Sequence, residues 1–314
     1  MRVLVTGGAG FIGSTLVDRL LEEDDEVDVV DNLSSGSRLN IASAQSRSNA
    51  CQFYELDIRS SEFDELVNDR RPEIIYHLAA QVSVAVSVRE PLMDAELNVL
   101  GSLHVLDAAR FSGVKKVVFA ASGGTLYGDV PRSELPIAEG RPHSSSSPYG
   151  LAKRVVCDYL RLYQELYGLE YAAMALANVY GPRQDPHGEA GVVAIFARRL
   201  IAGSPVTING DGLQTRDFVH VNDVVEAFVR AAKKSSSSIF NIGTGIQTSV
   251  NDLYAALASQ VDGASPATHG PARTGDVEAS ALDSTLARDV LGWVPKVDLG
   301  EGVGSVLAFE RQRT

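Results

Sequence analysis

Cysteine is scarce in this sequence, and positive charge is in deficit. Only two cysteines, Cys51 and Cys157, occur among the 314 residues, and neither stands in a Cys-x-x-Cys pair. They cannot build a disulfide framework, so we expect two buried, small apolar side chains in a reducing compartment. The 28 Lys and Arg against 40 Asp and Glu leave a net charge of −12. Because such a surface repels phosphate backbones, we expect no nucleic-acid partner.

Long apolar runs are also missing. The first strand carries one Arg and no signal-peptide apolar region, and no later stretch reaches the length of a membrane span. We therefore expect a cytoplasmic protein without a membrane partner. The apolar fraction of 45% and the charged fraction of 22% are typical of a soluble globular protein. The length predicts one large domain or two joined ones.

Short β-branched apolar runs alternate with segments of helical period. Near-continuous apolar strands separated by helices predict a parallel sheet covered on both faces. The predicted strands are residues 3–6, 27–31, 53–56, 74–78, 117–121, 171–177 and 239–242. The predicted helices are residues 11–22, 94–111, 149–167, 192–202 and 221–233. The predicted fold class is therefore α/β, a doubly wound parallel sheet of the Rossmann type.

The pattern loosens after about residue 178, where Gly, Pro and Asp become frequent. We predict a Rossmann domain at residues 1–177, to which a strand near 238–243 returns. Residues 178–314 are predicted to form a smaller α/β lobe that binds the substrate.

A glycine-rich turn joins the first predicted strand to the first helix. Gly7 permits a tight turn, Gly10 lets the backbone approach a pyrophosphate, and Gly13 lets the helix pack closely on the strand. The free N–H groups and the dipole at the helix start form an anion site. The spacing Gly-x-x-Gly-x-x-Gly alone also fits a plain tight turn, but its place between a strand and a helix favours a dinucleotide.

Asp31 ends the second predicted strand, 18 residues after Gly13. A carboxylate at this point accepts hydrogen bonds from the adenine ribose hydroxyls and repels a 2′-phosphate. The alternative is that Asp31 only caps a turn before Asn32. With the glycines, Asp31 favours NAD over NADP.

Tyr149 and Lys153 lie four residues apart at the start of a predicted helix and thus on one face. A nearby ammonium and the positive nicotinamide ring favour the phenolate and lower the tyrosine pKa, so that Tyr149 can take a proton from a sugar hydroxyl. Such pairs also occur by chance on surface helices. The preceding glycine turn favours the catalytic interpretation.

Together these segments resemble the extended short-chain dehydrogenase/reductases, and most of all the UDP-sugar 4-epimerases. The resemblance covers nearly the whole chain and includes the glycine turn, the Tyr149/Lys153 pair and the segment Arg216-Asp217-Phe218-Val219-His220. It implies that NAD is the cofactor and that no metal is needed. The implied cofactor-binding residues are Gly7, Gly10, Phe11, Ile12, Gly13, Asp31, Asn32, Asp57, Ile58, Leu78, Ala79, Ala80, Asn98, Tyr149 and Lys153.

The family also implies a Ser or Thr that hydrogen-bonds the reacting hydroxyl, in many members four residues before the tyrosine of a Tyr-Gly segment. Here Gly123 occupies that position before Tyr127. Ser122, at a strand end, is our first candidate for this role, and Thr125 is the second. Gly124-Thr125 stands where 4,6-dehydratases of the family carry an Asp-Glu pair, which disfavours dehydration.

In the smaller lobe the resemblance implies contacts to the nucleotide and the sugar. The implied substrate-binding residues, besides Ser122 and Tyr149, are Asn178, Val192, Val193, Phe196, Arg216, Arg273 and Asp276. Without it, Arg216-Asp217 would be taken for a surface salt bridge. Seven residues after Arg273 the chain carries Ser280. Because some family members have a bulky tyrosine there, this small residue predicts a roomy sugar pocket.

The implied activity is 4-epimerisation of a UDP-hexose, UDP-glucose/UDP-galactose with or without N-acetylation, through a 4-keto sugar. The alternatives are UDP-glucuronate 4-epimerisation, for which Arg89 and Arg183 are candidate carboxylate ligands, or another UDP-sugar reaction (reduction, decarboxylation, dehydration). A redox-sensing binding protein is a third possibility, disfavoured by the intact Tyr149/Lys153 pair. The resemblance further implies a homodimer formed through helices 94–111 and 149–167.

Overall fold

The computed structural model describes residues 1–47, 49–186, 191–272 and 277–313. Strands in these ranges are β1 (Arg2–Thr6), β2 (Glu26–Val30), β3 (Cys51–Tyr54), β4 (Ile74–His77), β5 (Lys116–Ser122), β6 (Glu170–Leu176), β7 (Asn178–Tyr180), β8 (Thr207–Asn209), β9 (Thr215–Arg216), β10 (Phe218–His220), β11 (Ser238–Ile242), β12 (Thr248–Ser249) and β13 (Thr268–Gly270). Helices are α1 (Phe11–Leu21), α2 (Arg38–Arg47), α3 (Ser61–Arg70), α4 (Val84–Arg89), α5 (Pro91–Ala95), α6 (Gly101–Phe111), α7 (Gly123–Leu126), α8 (Pro148–Tyr167), α9 (Val192–Ile201), α10 (Val221–Ala232), α11 (Val250–Ala258) and α12 (Leu299–Arg313).

Seven parallel strands form the central sheet, in the order β11-β6-β5-β4-β1-β2-β3. One face is covered by α1, α2 and α10, whose buried residues include Leu20, Ile41 and Phe228. The other face is covered by α3, α6 and α8, with Phe63 and Leu160 in its core. Because both faces are buried, the strands are apolar along their length. The predicted doubly wound parallel sheet is confirmed.

The strand order reverses between β1 and β4. The chain proceeds from β1 outward to β2 and β3, and then crosses back to place β4 on the other side of β1. In open α/β sheets, ligands bind at the carboxyl ends of the strands beside such a reversal. The glycine turn, Asp31, Asp57 and Ser122 all follow the carboxyl ends of these strands.

A π-helical turn interrupts the helix predicted at residues 94–111. The segment Glu96–Leu100 joins α5 to α6 without leaving helical backbone angles. A π-turn widens the helix by one residue and changes the direction of the side chains within it. Here the turn directs Asn98 inward, where it is 2% exposed.

The smaller lobe has a core of its own, built from α9, α11 and α12 and including Phe196, Leu253 and Val303. Strand β11 leaves this part of the chain to pair with β6, and α10 packs on α1. The lobes are thus interleaved in sequence, and the division at residue 177 stays a prediction. No helix in the described part of the chain is long and apolar enough to cross a bilayer.

Candidate active site

The glycine turn wraps tightly around the end of β1. Gly7 adopts a left-handed φ of +69°, and a Cβ there would stand 2.6 Å from the Ala79 nitrogen. A Cβ on Gly13 would stand 2.1 Å from the Gly7 carbonyl oxygen, so any side chain would displace the turn. Gly10 is the N-cap of α1, and no side chain caps this helix. The first amides of α1 are therefore left for an anion.

Asp31 follows β2 and faces the glycine turn. It is 8% exposed, and its carboxylate accepts hydrogen bonds from the backbone nitrogens of Ala9 (3.0 Å) and Leu33 (2.8 Å). The carboxylate is thus held in a fixed orientation beside the anion site. If Asp31 only capped a turn, its hydrogen bond with the Leu33 nitrogen would be expected, but its hydrogen bond with Ala9 of the glycine turn would not.

Asp57 lies at the end of β3, next to Asn32. The Asn32 amide donates to Asp57 at 3.3 Å, and Arg59 forms an ion pair with Asp57 at 2.7 Å. The Arg59 hydrogen bond lowers the Asp57 pKa to about 2. An anionic acceptor is therefore available over a wide pH range where the resemblance places the adenine.

These segments fit a dinucleotide. A Cβ built on Gly10 would have only the Gly7 carbonyl oxygen nearby, at 3.2 Å. The turn therefore leaves room for a pyrophosphate. Phe11 and Ile12 are partly buried against the sheet core, and Ile58 packs on Gly101. Leu78, Ala79 and Ala80 follow β4 and are half-buried along the crevice. The described residues contain no group of three His, Cys, Asp or Glu that could hold a metal ion.

Tyr149 and Lys153 stand on the first turns of α8. Ser147 caps this helix by accepting from the Gly150 nitrogen at 3.1 Å, and Pro148 occupies the first helical position. The Lys153 ammonium donates to the Ala120 carbonyl oxygen of β5 at 2.9 Å. It lies 4.6 Å from the Phe119 ring centroid and 5.7 Å from that of Tyr149. The lysine is therefore fixed between β5 and the tyrosine.

The groups of the protein alone do not lower the Tyr149 pKa. Burial raises this pKa to about 12, Ser122 opposes this rise, and the Asp94 carboxylate adds to it. The predicted lowering, which includes the positive nicotinamide ring, stays a prediction. Burial also lowers the Lys153 pKa to about 8. The reason is that desolvation disfavours the charged form of both groups.

Ser122 and Thr125 differ in what their hydroxyls reach. The Ser122 side chain lies near enough to the Tyr149 phenol to lower the pKa of that phenol. The Thr125 hydroxyl instead donates to the backbone oxygen of Ser122, at 3.4 Å. The structure therefore brings Ser122, Tyr149 and Lys153 together and places Thr125 one layer behind them.

Leu282 accounts for the glycine at position 123. A Cβ on Gly123 would lie 2.4 Å from the Leu282 Cδ1 atom and 3.1 Å from the Ala175 carbonyl oxygen. Leu282 is 2% exposed, and its backbone nitrogen donates to Asp217 at 3.1 Å. The position that holds serine in many relatives is thus filled by a fixed leucine from the smaller lobe.

Replacing Gly123 with serine is expected to destabilise the protein by about 1–3 kcal/mol, because the new side chain overpacks this site. Leu282→Ala alone is expected to cost about 2–5 kcal/mol. Denaturant unfolding of the double variant should show a smaller loss than the sum of the two. Strict additivity would mean that Leu282 does not restrict position 123.

Asn98 is buried and hydrogen-bonded within the protein. Its Oδ1 accepts from the Gln81 nitrogen at 2.9 Å, and its Nδ2 donates to the Gln81 oxygen at 3.0 Å and to Asp94 at 2.8 Å. The π-turn buries the amide, and both its polar atoms are engaged within the protein; the expected contact between Asn98 and the cofactor stays a prediction.

The smaller lobe places some predicted substrate residues at the cleft and others in its core. Asn178 begins β7 and is half-buried, while Arg216 lies in β9 and donates to the Thr215 oxygen at 2.8 Å. Arg273 and Asp276 lie outside the described residues. Ser280 is half-buried beside β9, with its nitrogen 3.2 Å from the Thr215 oxygen.

Val193 and Phe196 belong to the core of the smaller lobe, where they are 2% and 4% exposed. The apolar stripe of α9 has helical period and faces α11 and α12. Their contact with the substrate stays a prediction. Val192 is half-buried and remains a candidate.

Asp217 is not half of a surface salt bridge with Arg216. It is 1% exposed and accepts four hydrogen bonds, from the Thr244 nitrogen and hydroxyl, the Gly245 nitrogen and the Leu282 nitrogen. The carboxylate therefore ties the loop after β11 to the segment that contains Leu282.

Asp217→Asn is expected to destabilise the protein by roughly 2 kcal/mol or more. The asparagine NH₂ group would face the buried N–H and O–H groups that now donate to the carboxylate. Thermal and denaturant unfolding would measure this loss. Asp211→Asn, at an exposed carboxylate in the same lobe, is the control. Equal stability of both variants would contradict the role given to Asp217.

A serine-tyrosine-lysine group beside a dinucleotide crevice defines a short-chain dehydrogenase/reductase type of active site. The model of the NAD dependent epimerase/dehydratase family matches residues 3–243, and the chain belongs to that family. The predicted resemblance and the predicted cofactor, NAD, are thereby confirmed.

Individual relatives match the whole length of the chain. A UDP-glucose 4-epimerase of Mycolicibacterium smegmatis is 48% identical, with 100% of both chains covered. The structure of UDP-glucose 4-epimerase from Thermotoga maritima with UDP-glucose superposes with a TM-score of 0.94 at 46% identity, covering 100% of this chain and 99% of that one. That of the Thermus thermophilus enzyme with NAD gives 0.92 at 43% identity, covering 100% of both.

Proposed function

We propose that the protein is an NAD-dependent UDP-sugar 4-epimerase that interconverts UDP-glucose and UDP-galactose through a 4-keto sugar. The observation that carries this proposal is the group of Ser122, Tyr149 and Lys153 at the crevice beside β4 and β5. It occurs in a chain that matches UDP-glucose 4-epimerases from end to end.

The three side chains have separate tasks. Tyr149 takes the proton of the sugar 4-hydroxyl as a phenolate and returns it after the sugar has turned. Ser122, whose side chain lies near the phenol, orients the same hydroxyl. Lys153, held by the Ala120 carbonyl oxygen, stabilises the phenolate by its charge and would hold the nicotinamide ribose. The low exposure of Tyr149 and Lys153, 9% and 4%, keeps bulk water from this proton transfer.

The chemistry supplied by bound NAD⁺ is a reversible two-electron oxidation at C4, with a positive ring charge that favours the Tyr149 phenolate. Gly7, Gly10 and Gly13 would hold its pyrophosphate, and Asp31 its adenine ribose, as the geometry of the turn allows. Asn178, Arg216, Arg273 and Asp276 are proposed to hold the nucleotide diphosphate and the uridine. Ser280 leaves space for an N-acetyl group.

The relatives that match the whole chain are UDP-glucose 4-epimerases and favour none of the alternatives. Arg89 is exposed and forms an ion pair with Glu90 at 3.1 Å. Arg183 pairs with Asp18 of α1 at 2.6 Å through one nitrogen, while its buried Nη1 has no hydrogen-bond partner, so Arg183 stays the candidate ligand for a glucuronate carboxylate. Gly124 and Thr125 offer no acid pair for dehydration.

The purified protein should therefore convert UDP-glucose to UDP-galactose without added reductant. UDP-N-acetylglucosamine and UDP-glucuronate complete the panel, with chromatography and mass analysis of each product. Epimerisation leaves the mass unchanged, whereas reduction, decarboxylation and dehydration change it. Turnover of UDP-glucuronate alone, or a product of altered mass, would contradict the proposal.

We also propose a homodimer and a cytoplasmic location. Leu151, Leu162 and Leu166 are 50%, 38% and 61% exposed along one face of α8, and Leu100 and Phe111 extend an apolar stripe on the neighbouring helix. Two such helices from each subunit would bury these side chains. The location rests on Cys51 and Cys157, which are buried and unpaired.

The dimer can be tested with Leu162→Glu/Leu166→Glu, which should elute at monomer mass, while the wild-type protein elutes at dimer mass. Leu39→Glu, at an exposed leucine on α2, is the control and should stay dimeric. Monomeric wild-type protein at micromolar concentration would contradict the dimer.

A further inference from the structure

Asp94 is a buried carboxylate beside the catalytic helix. It lies on α5 and is 1% exposed. Its Oδ1 accepts from the side-chain amides of Gln81 and Asn98, both at 2.8 Å, and its Oδ2 has no hydrogen-bond partner. None of the ion pairs formed among the described residues includes it.

Hydrogen bonding does not explain why this residue is a carboxylate. Both donors are neutral amides that meet a single oxygen, and an asparagine would offer the same acceptor. Burying an ionised carboxylate without an ion pair is costly, and burial accordingly raises the Asp94 pKa. The hydrogen bonds from Gln81 and Asn98 and the charge of Lys153 act in the opposite direction and favour the ionised form. The property that distinguishes Asp94 from asparagine is therefore its charge.

The charged groups around α5 identify the partner. Helix α8 packs on α5 and presents Tyr149 and Lys153, and both interact electrostatically with Asp94. The π-turn contributes the neutral Asn98. Helix α4 ends at Arg89, which pairs with Glu90 at the surface. Among the described residues, Lys153 is thus the cation whose charge acts on Asp94.

The other neighbours of Lys153 provide no negative charge. Ala120 offers a carbonyl oxygen and Phe119 a ring face. His77 is fully buried, and burial lowers its pKa to about 3, so it is neutral. Burial raises the pKa of the Cys157 thiol to about 12, which keeps it protonated.

We propose that Asp94 is the buried counter-charge of Lys153: a positioning residue that keeps the ammonium protonated inside the protein and sets the pH range in which the Tyr149–Lys153 pair works. This inference rests on the proposed function, because it assigns Asp94 to the same site. Asp94 touches neither the sugar nor the cofactor in this assignment and acts through α8.

The sign of the effect follows from the charge. A nearby anion favours the protonated form of both an amine and a phenol, so Asp94 raises the pKa of Lys153 and of Tyr149. Removing the charge lowers both. Activity needs a deprotonated tyrosine and a protonated lysine, so both limbs of the pH profile move to lower pH.

Two variants separate charge from shape. Asp94→Asn keeps the shape and the acceptor oxygen, and its kcat profile in the NAD-loaded enzyme should shift by about one pH unit to the acid side on both limbs. Asp94→Glu keeps the charge but not the shape and should retain the wild-type limbs, even at a lower maximum. Asp64→Asn, on the surface of α3, is the control and should change neither.

An NMR titration with ¹³Cε-labelled lysine, assigned by Lys153→Arg, measures the Lys153 pKa without any turnover. We expect a lower pKa in Asp94→Asn than in the wild type. If this shift is found but no UDP-sugar is epimerised, the proposed function fails and the counter-charge stands. If UDP-glucose is epimerised while Asp94→Asn leaves the Lys153 pKa and both limbs unchanged, the inference is overturned.

Discussion

Replacing Tyr149 with phenylalanine is expected to lower kcat for UDP-glucose epimerisation by about 10²- to 10⁴-fold, the contribution typical of a positioned acid–base group. Phenylalanine keeps the ring packed at the start of α8 but removes the phenol oxygen beside Ser122. Binding of the substrate should change little, because the nucleotide is proposed to bind to the smaller lobe. Steady-state kinetics with UDP-glucose, together with the NAD content of the variant, measures the effect.

Tyr159→Phe is the matched control on the same helix. Tyr159 is partly buried against the core of the sheet's second face and lies away from Lys153. Its loss of a hydroxyl should leave kcat within about twofold of the wild type, since distant surface hydroxyls contribute little. A Tyr149→Phe variant that also retains near-normal turnover would remove Tyr149 from the mechanism.

Gly13→Ala is expected to abolish tight NAD binding and to destabilise the protein by about 1–3 kcal/mol or more. The new Cβ would stand 2.1 Å from the Gly7 carbonyl oxygen and 2.8 Å from the Gly8 Cα. Backbone atoms cannot rotate away as a side chain can, so the turn itself has to move. The amides that face the pyrophosphate move with it. NAD content after purification and the denaturant midpoint report the two losses separately.

Gly140→Ala controls for the change from glycine to alanine. A Cβ at Gly140 would meet nothing within 4 Å. This variant should keep its NAD and its midpoint, with a gain in stability of up to about 1 kcal/mol from a less flexible unfolded chain. If Gly13→Ala retains NAD as Gly140→Ala does, the close contact between α1 and β1 is not what shapes the cofactor site.

Local patterns predicted the sheet and the cofactor turn well. The apolar runs predicted the bounds of each strand of the central sheet to within about two residues. This succeeded because a strand buried on both faces must be apolar along its whole length. Gly7, Gly10, Gly13 and Asp31 were predictable because their roles depend on backbone geometry at a strand end. Tyr149 and Lys153 followed from helical spacing and the family resemblance.

Contacts between distant segments were not predictable in this way. Gly123 looked like a missing catalytic serine until Leu282, from the other lobe, was seen to fill its space. The helical pattern of residues 94–111 does not predict the π-turn that directs Asn98 inward. Asp94 carried one local signal, an acidic residue four positions before Asn98, but its burial depends on α8. The rise of the Tyr149 pKa in the protein alone was not predictable because it comes from burial, a tertiary property.

The central claim is reversible oxidation at C4 of the sugar, and an isotope label at that carbon tests it most directly. UDP-glucose carrying deuterium at C4 is incubated with the purified protein in ordinary water, and the UDP-galactose formed is analysed by mass and NMR. Our account predicts that the deuterium is retained at C4 of the product, because the hydrogen leaves and returns without mixing with solvent. Product in which the C4 deuterium has been replaced by solvent hydrogen would contradict it.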